Sequence, residues 1–227
     1  MSKLFIEICS GLNAPLSCAA NDAGWEILPI DFKRGGESQN LLNPEVEAKL
    51  SDLIPHAHLV HFAPPCSTFS TIMFLNKWSS RNVAHPLGGG KNRPTDPREI
   101  EANKILDCCY RLAKICDAFS IPWTWENPAR SLMWKTPKLS SLLATHHTTA
   151  HVDWCAYGLP WKKTTYFKGR RVPWLIQLER HCNKQHKHEV LMGIKKKSIP
   201  KTELAAGYAP EFCKLYFSSL DLYSHCE

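Results

Sequence analysis

The chain of 227 residues, 44% of them apolar, is long enough to form one globular domain with a sizeable core. Its formal net charge of +7 favours an anionic partner such as a nucleic acid. No apolar run approaches the roughly 20 residues that cross a bilayer, and no secretory signal precedes the first strand. The composition therefore predicts an intracellular protein with reduced thiols and no membrane contact.

Strands and helices alternate along the chain, which predicts one α/β domain with a mostly parallel central sheet flanked by helices. Apolar, β-branched runs predict the strands, and segments of helical period or with a proline in the first turn predict the helices. The predicted strands cover 4–8, 25–30, 57–63, 122–125 and 147–153, with a turn and a further strand over 157–167. The predicted helices cover 14–23, 44–53, 97–119 and 140–145, and a last helical region runs from 202 to 220 with Pro210 at a break.

Gly11 follows the first predicted strand, and Asp31 ends the second strand 20 residues later. In a doubly wound sheet, such a turn brings backbone N–H groups to a nucleoside ligand, and the acid accepts from its ribose hydroxyls. A complete G-x-G-x-x-G pattern is absent, which argues against a dinucleotide. The order predicts a nucleoside cofactor site; the alternative is an ordinary turn glycine and a strand-end acid.

Cys66 lies at the end of the third predicted strand, directly after two prolines that stop the strand because they have no N–H to donate. Glu126 ends the fourth predicted strand. A thiolate and a carboxyl group at one sheet edge are suited to covalent catalysis with proton transfer. A cysteine hydrolase is an open alternative and would need a histidine within hydrogen-bond reach of Cys66.

The segment 71–94 is irregular, basic and rich in glycine. A long loop directly after a nucleophile predicts a mobile lid over an anionic substrate. The alternative is a disordered surface loop.

Four segments resemble the motifs of the cytosine-C5 DNA methyltransferases, in the same order, over residues 4–167. Pro-Cys-Ser-Thr-Phe-Ser at 65–70 resembles their Pro-Cys-x-x-Phe-Ser catalytic motif, and Glu-Asn-Pro at 126–128 is similar to their Glu-Asn-Val motif. Phe-Ile-Glu-Ile-Cys-Ser-Gly at 5–11 resembles their first cofactor motif. The segment 157–165 resembles a degenerate form of their Gly-Val-Pro-Gln-x-Arg-x-Arg motif, and Ala-Ala-Gly-Tyr at 205–208 resembles their last cofactor motif.

The resemblance implies a Rossmann-like S-adenosylmethionine-dependent methyltransferase fold and methyl transfer to C5 of cytosine in DNA. It implies that Cys66 attacks C6, that Glu126 holds or protonates N3, that Asn127 fixes the strand end and that Lys163 contacts the base or its backbone. The residues implied to bind the cofactor are Glu7, Cys9, Ser10, Gly11, Leu12, Asp31, Phe32 and Pro64. Because the target atom is hidden in a duplex, the base must be flipped out or already unpaired. The residues predicted to bind nucleic acid are Ser70, Lys77, Arg81, Lys91, Arg93, Arg170 and Arg171.

The chain departs from the family pattern at three positions. Thr165 and Trp161 stand where an arginine and a glutamine are usual, and Asn13 replaces a glycine. The predicted organisation is a catalytic core over 1–167, a short basic insert over 168–200 in place of a recognition domain, and a C-terminal helix over 201–227. Basic side chains of the insert can bind phosphates without reading sequence.

The alternatives to DNA methylation are RNA cytosine-C5 methylation and a non-catalytic nucleic-acid-binding relative. The predicted compartment is the cytoplasm in a prokaryotic or viral setting and the nucleus in a eukaryote. Cys182, His186 and His188 have a spacing typical of half a zinc site, which Cys155 or another cysteine would have to complete. Because such half-sites are often coincidental, no bound metal is predicted, and the three residues are candidates only.

Overall fold

A computed structural model describes residues 2–71, 79–90, 93–191 and 207–224. Within them, the strands are β1 (Leu4–Ile8), β2 (Glu26–Ile30), β3 (Leu59–Phe62), β4 (Trp123–Pro128), β5 (Thr148–Asp153) and β6 (Thr164–Arg170). The helices are α1 (Pro15–Asp22), α2 (Phe32–Gly35), α3 (Pro44–Leu53), α4 (Pro97–Ala118), α5 (Pro137–Leu142) and α6 (Pro210–Ser224). No described helix is both long enough and apolar enough to cross a membrane.

The six strands form one open sheet in the order β2-β1-β3-β4-β6-β5. The first four strands in that order are parallel, and β6 alone runs in the opposite direction. The strand order reverses at β1, which is flanked by β2 on one side and β3 on the other. An open parallel sheet with such a switch point is the Rossmann-like arrangement, which confirms the predicted α/β class.

Helices cover both faces of the sheet. One apolar layer joins the sheet to α3, α4 and α5, with Ile6, Val60 and Trp125 pointing into it. The other layer joins it to α1 and α6, with Phe5, Leu59 and Phe167 pointing into it. Successive residues of the same strand enter opposite layers because side chains alternate across a strand.

The helices differ most clearly from the sequence expectations at three helix starts. The segment 32–43, which the sequence leaves as loop, begins with α2 because Asp31 accepts a hydrogen bond from Lys33 N as its N-cap. The helix expected over 140–145 begins at Pro137. Pro210 begins α6 rather than interrupting it, since a first-turn residue needs no N–H donor. The predicted start of this last helical region, at 202, lies outside the described residues.

A row of polar side chains crosses the buried sheet face that α6 covers. Glu7, His61 and Thr124 are neighbours across β1, β3 and β4. His61 Nδ1 lies 2.7 Å from Thr124 Oγ1, and its Nε2 lies 3.0 Å from the Tyr208 hydroxyl. Burial lowers the pKa of His61 to about 3, so this histidine is neutral near pH 7.

Glu7 occupies the end of the row beneath α1. Its Oε2 accepts hydrogen bonds from Ser17 N (2.8 Å) and Ser17 Oγ (2.5 Å), which caps the first turn of the helix from below. Its Oε1 is buried and has no hydrogen-bond partner among the described residues. Burial raises the pKa of Glu7 to about 7, against the Ser17 hydrogen bonds, which lower it.

Glu7→Gln should make unfolding less dependent on pH. A carboxyl group whose folded pKa is raised from 4.5 to about 7 imposes a penalty on the folded state that grows as pH rises through that window. The full penalty is about 3 kcal/mol, so the stability of Glu7→Gln relative to wild type should rise by about that amount across the window. Urea unfolding on both sides of the window measures this.

Glu45→Gln, at an exposed position of α3, is the control and should track wild type. An equal stability difference between Glu7→Gln and wild type at both pH values would contradict the raised pKa.

Candidate active site

The ends of β3 and β4 are tied together at the carboxyl edge of the sheet. The Asn127 side chain is fully buried, and its Nδ2 donates a 3.0 Å hydrogen bond to Pro64 O. The chain then passes through Pro65 to Cys66, which caps a 3₁₀ turn over Ser67–Phe69. This hydrogen bond fixes the double-proline turn that presents Cys66.

Cys66, Glu126 and Lys163 converge at this edge. Cys66 is half-buried and Glu126 is 7% exposed. Burial raises the pKa of both groups, while the charge of Lys163 lowers both and the charge of Glu126 raises that of Cys66. The charge of Lys163 therefore reaches both other groups, and the charge of Glu126 reaches Cys66. Glu126 Oε1 is buried and has no hydrogen-bond partner among the described residues.

The turn between β1 and α1 lies beside this edge, at the strand-order switch. Gly11 has φ 70°, a conformation in which glycine carries no steric cost. Gly11 N donates a 2.9 Å hydrogen bond to Asp31 Oδ2, and Lys33 N donates to Asp31 Oδ1 at 2.8 Å. The two large side chains that follow, Leu12 and Phe32, are 60% and 56% exposed.

The residues predicted to bind the cofactor are thus close in the fold but differ in exposure. Cys9 is half-buried with a left-handed backbone, while Ser10 is buried and its N–H donates to Ile30 O at 3.1 Å. Pro64 is buried, and Glu7 is fully enclosed beneath α1. Glu7 therefore supports the turn from below by holding α1.

Arg81 lies inside the protein rather than on a nucleic-acid surface. Its side chain is completely buried and packs on the Phe69 ring, with the guanidinium carbon 3.8 Å from the ring centroid. The guanidinium donates to Thr68 Oγ1 (3.2 Å), Glu99 O (3.0 Å), Pro86 O (2.5 Å) and Asn103 Oδ1 (2.9 Å). It cannot reach a phosphate from there; it braces the turn that follows Cys66.

Residues 79–90 of the loop expected to be a lid are packed against the start of α4. Ser79 Oγ and Ser80 Oγ donate to the buried Glu99 carboxylate at 3.0 and 2.5 Å. Gly90 fits against Ser80 O, where a Cβ would approach to 2.8 Å. Gly90 thus allows close packing of this segment.

The other residues predicted to bind nucleic acid are dispersed. Arg170 pairs with Asp117 at 2.7 Å, and Arg171 pairs with it at 3.5 Å. Because Arg170 is the register partner of Trp123 at the start of β4, both arginines lie at the sheet edge opposite Glu126. Ser70, which directly follows the Cys66 turn, is half-buried, and Arg93, near the end of the following loop, is exposed. Lys77 and Lys91 lie outside the described residues.

The hydrolase alternative lacks its base, because no described histidine hydrogen-bonds to Cys66. His61, the histidine nearest in sequence, is occupied by Thr124 and Tyr208.

One of the three positions that depart from the family pattern, Thr165, has a packing role in the structure. Thr165 is fully buried, and its Oγ1 accepts a 2.9 Å hydrogen bond from Trp154 Nε1. The Trp154 ring stacks on Tyr208 with centroids 5.6 Å apart. A long arginine side chain has no room at this buried position.

A cavity of about 290 Å³ lies between the Cys66 turn, which forms one wall, and the first turns of α4, which form the other. Its lining residues are Pro65, Ser67, Thr68, Arg98, Glu101, Ala102 and Ile105.

Sequence reasoning missed the supporting role of Arg81 and Glu99. The Asp96-x-x-Glu99 capping box is a visible helix-start signal, and both of its hydrogen bonds are present. The second role of Glu99, as partner of Ser79, Ser80 and Arg81, depends on a loop fold that no local pattern indicates.

No protein-family model matches the chain, and no curated protein matches it significantly. Among solved structures, an Entamoeba histolytica methyltransferase, EhMeth, is similar over 83% of this chain at 15% identity and a TM-score of 0.47. A prophage-encoded candidate DNA modification methyltransferase of E. coli is similar over 74% at 14% identity and 0.42. The S. pombe Dnmt2 methyltransferase is similar over 87% at 11% identity and 0.40. The chain covers 58%, 46% and 61% of the lengths of these three proteins, so its activity has to be argued from its own residues.

Lys163→Gln should slow alkylation of Cys66 near neutral pH, and Glu126→Gln should accelerate it. The lysine charge lowers the pKa of the Cys66 thiol and the glutamate charge raises it, so the two variants change the reactive thiolate fraction in opposite directions. Iodoacetamide labelling followed by peptide mass spectrometry measures Cys66 separately from the other thiols.

Lys162→Gln is the matched control, since Lys162 pairs instead with Asp153. The exposed Cys18 provides the internal reference. If the two lysine variants slow Cys66 labelling equally, Lys163 does not act on the thiol.

Arg81→Met should destabilise the fold by about 3 to 5 kcal/mol, because it leaves the Glu99 carboxylate buried without its cationic partner. Arg93→Met, at an exposed position, should change stability by no more than about 0.5 kcal/mol. Urea unfolding compares the two. Equal unfolding midpoints would show that Arg81 does not brace this turn.

Proposed function

We propose that this chain is an S-adenosylmethionine-dependent methyltransferase that acts on C5 of cytosine in DNA. The observation that carries the proposal is the convergence of Cys66, Glu126 and Lys163 at the carboxyl edge of a Rossmann-like sheet. Ligands of such sheets bind at this edge, next to the switch point. The Gly11–Asp31 turn lies at that switch point.

The residues around Gly11 fit a nucleoside-containing cofactor. A Cβ placed on Gly11 would meet nothing within 4 Å, so there is open space in front of the turn. Asp31 faces the turn with a carboxylate that retains acceptor capacity beyond its two backbone hydrogen bonds. Leu12 and Phe32 offer exposed apolar surface on either side of the turn. S-adenosylmethionine bound there would supply an electrophilic methyl group.

Cys66 is the proposed nucleophile. Cytosine is unreactive at C5 because its ring electrons are delocalised, and addition of a thiolate at C6 converts C5 into a nucleophilic enamine carbon. The positive charge of Lys163 favours the thiolate form of Cys66 against the effect of burial. After methylation, loss of the C5 proton expels Cys66 and restores the aromatic ring.

Glu126 is the proposed partner of cytosine N3. Burial raises its pKa, which favours the protonated carboxyl that can donate to N3 as the thiolate adds. Glu126 Oε1 has no hydrogen-bond partner among the described residues, so it is available for the contact with N3. Asn127 acts as a positioning residue through Pro64 O, because it holds the Cys66 turn against the strand that carries Glu126.

The nucleic-acid contact is proposed for the same edge rather than for Arg170 and Arg171. Lys163 precedes β6, Arg130 follows the end of β4 and is exposed, and Arg93 is exposed at the end of the loop that follows Cys66. Basic side chains there would attract the phosphates next to a base entering the site. The base must be flipped or already unpaired to reach Cys66.

Trapping with 5-fluorocytosine tests the reaction, because the fluorine at C5 cannot leave as a proton does. With S-adenosylmethionine and an oligonucleotide that carries this base, the wild-type chain should form an adduct that survives denaturation in detergent. Cys66→Ser should form no adduct. Glu126→Gln should form the adduct at least about 100-fold more slowly than wild type. Cys18→Ser, a change at an exposed thiol, should behave like wild type.

Parallel reactions on single-stranded and duplex DNA and on RNA identify the substrate. An adduct on RNA but not on DNA would replace the DNA assignment with RNA methylation. Fluorescence anisotropy on the same oligonucleotides measures binding. Binding without any adduct would identify a non-catalytic relative and overturn the proposed reaction.

A further inference from the structure

Four metal-ligating side chains from two separate segments meet at the outer edge of the sheet. Cys155 belongs to the 3₁₀ turn Trp154–Tyr157 that follows β5. Cys182, His186 and His188 belong to the segment after β6. Their ligand atoms all lie within 4.8 Å of one another. The sequence indicated the second group and left Cys155 or another cysteine to complete it, and the fold brings Cys155 to the other three ligands.

The spacing of these atoms approaches that of a tetrahedral metal centre. Cys182 Sγ lies 3.3 Å from His188 Nε2 and 4.0 Å from His186 Nε2. Around Zn²⁺, with Zn–S near 2.3 Å and Zn–N near 2.0 Å, a sulfur and a nitrogen ligand are about 3.6 Å apart. The two observed distances lie on either side of that value. Two thiols and two imidazoles form a ligand set that zinc favours.

The backbone after Cys182 forms a tight turn that brings the ligands of the second segment together. Lys184 N donates to Cys182 Sγ at 3.3 Å, and Lys184 has the left-handed φ of 61° that closes the turn. Asn183 Oδ1 accepts from Gln185 N at 3.0 Å within the same turn. The turn thereby brings His186 back over the sulfur of Cys182.

Neighbouring hydrogen bonds hold both segments in place. Asp153 Oδ2 accepts from Cys182 N at 2.9 Å, which fixes the first ligand of the segment to the end of β5. Glu189 N donates to Pro160 O at 2.7 Å, on the far side of the last ligand. The two contacts fix the backbone at both ends of the segment 182–188, which carries three of the four ligands.

We propose that Cys155, Cys182, His186 and His188 bind one structural Zn²⁺ ion. Four protein ligands leave no open position for a substrate, so the ion has a structural rather than a catalytic role. It joins the segment after Arg180 to the turn that leads into β6, where Lys163 lies. The site does not depend on the proposed methyl transfer.

A second group of possible ligands lies beside the first and has to be separated from it. His151, Asp153 and His181 also have ligand atoms within 4.8 Å of one another. The Asp153 carboxylate, however, already accepts from Thr164 Oγ1 and Cys182 N, and Lys162 Nζ lies 3.7 Å from it. His181 Nε2 is 3.0 Å from Glu179. Asp153 and His181 therefore already have protein partners, and Asp153 also holds Cys182 of the four-ligand centre in place.

Metal analysis of the full chain, purified under reducing conditions without a metal-affinity tag, tests the proposal. Wild type should retain one equivalent of zinc through dialysis. Replacement by Co²⁺ should give the visible absorption bands and thiolate charge-transfer band of a tetrahedral site. Removal of zinc with a chelator should lower the unfolding temperature, and added Zn²⁺ should restore it, because the ion binds only the folded arrangement.

His186→Gln and His181→Gln are the deciding variants. Both histidines are exposed and lie in the same segment, so neither change should disrupt the core. His186→Gln should weaken Co²⁺ binding at least about 10-fold, and His181→Gln should bind like wild type. Cys182→Ser should lose the charge-transfer contribution of one thiolate, and Cys18→Ser should retain all of it.

Three results would overturn the proposal. They are a reduced wild-type chain that neither contains zinc nor gives the tetrahedral Co²⁺ spectrum, loss of metal in His181→Gln but not in His186→Gln, and an unchanged spectrum in Cys182→Ser. Circular dichroism of each variant establishes that the comparison is made between folded chains.

Discussion

The hydrogen bond from Asn127 Nδ2 to Pro64 O is the contact on which the candidate active site depends. Two consecutive prolines cannot donate to a neighbouring strand, so the turn after β3 has to be held through its carbonyl oxygens. A buried amide on β4 supplies the donor, and Glu126 is the residue directly before it on the same strand. One contact therefore sets the position of the Cys66 turn relative to the carboxyl group.

The burial that this packing produces also sets the chemistry. Both Cys66 and Glu126 have raised pKa values because they are removed from water, and Lys163 opposes the shift at both. Burial favours the protonated form of Glu126 and Lys163 favours the thiolate of Cys66, which are the two forms that the proposed addition to a pyrimidine ring uses. Burial in the sheet interior also shifts the pKa values of Glu7 and His61 towards their uncharged forms. These two side chains are therefore structural parts of the sheet rather than reactive groups.

The candidate active site is braced from two sides by groups of side chains that lie outside it. On one side, Arg81 and Glu99 fill the space behind the Cys66 turn and anchor the loop 79–90 to α4. On the other side, the Cys155–His188 cluster joins the turn before Lys163 to the segment after β6. Each brace consists of groups that are distant in sequence and meet only in the fold.

The sequence by itself determined the alternation of strands and helices and the order of the motifs. It also determined the strand ends that carry Gly11, Asp31, Cys66 and Glu126. Side-chain period, proline positions and turn residues are local properties, which is why the sequence alone suffices for these features. Only the tertiary structure decided which basic residues face outward. Arg81, read as a phosphate ligand, is buried, and Arg170 lies at the opposite sheet edge, because β6 runs antiparallel to β4. It also decided that Cys155 completes the cluster, since the pairing of segments 27 residues apart follows from the packing of the whole chain and leaves no local pattern.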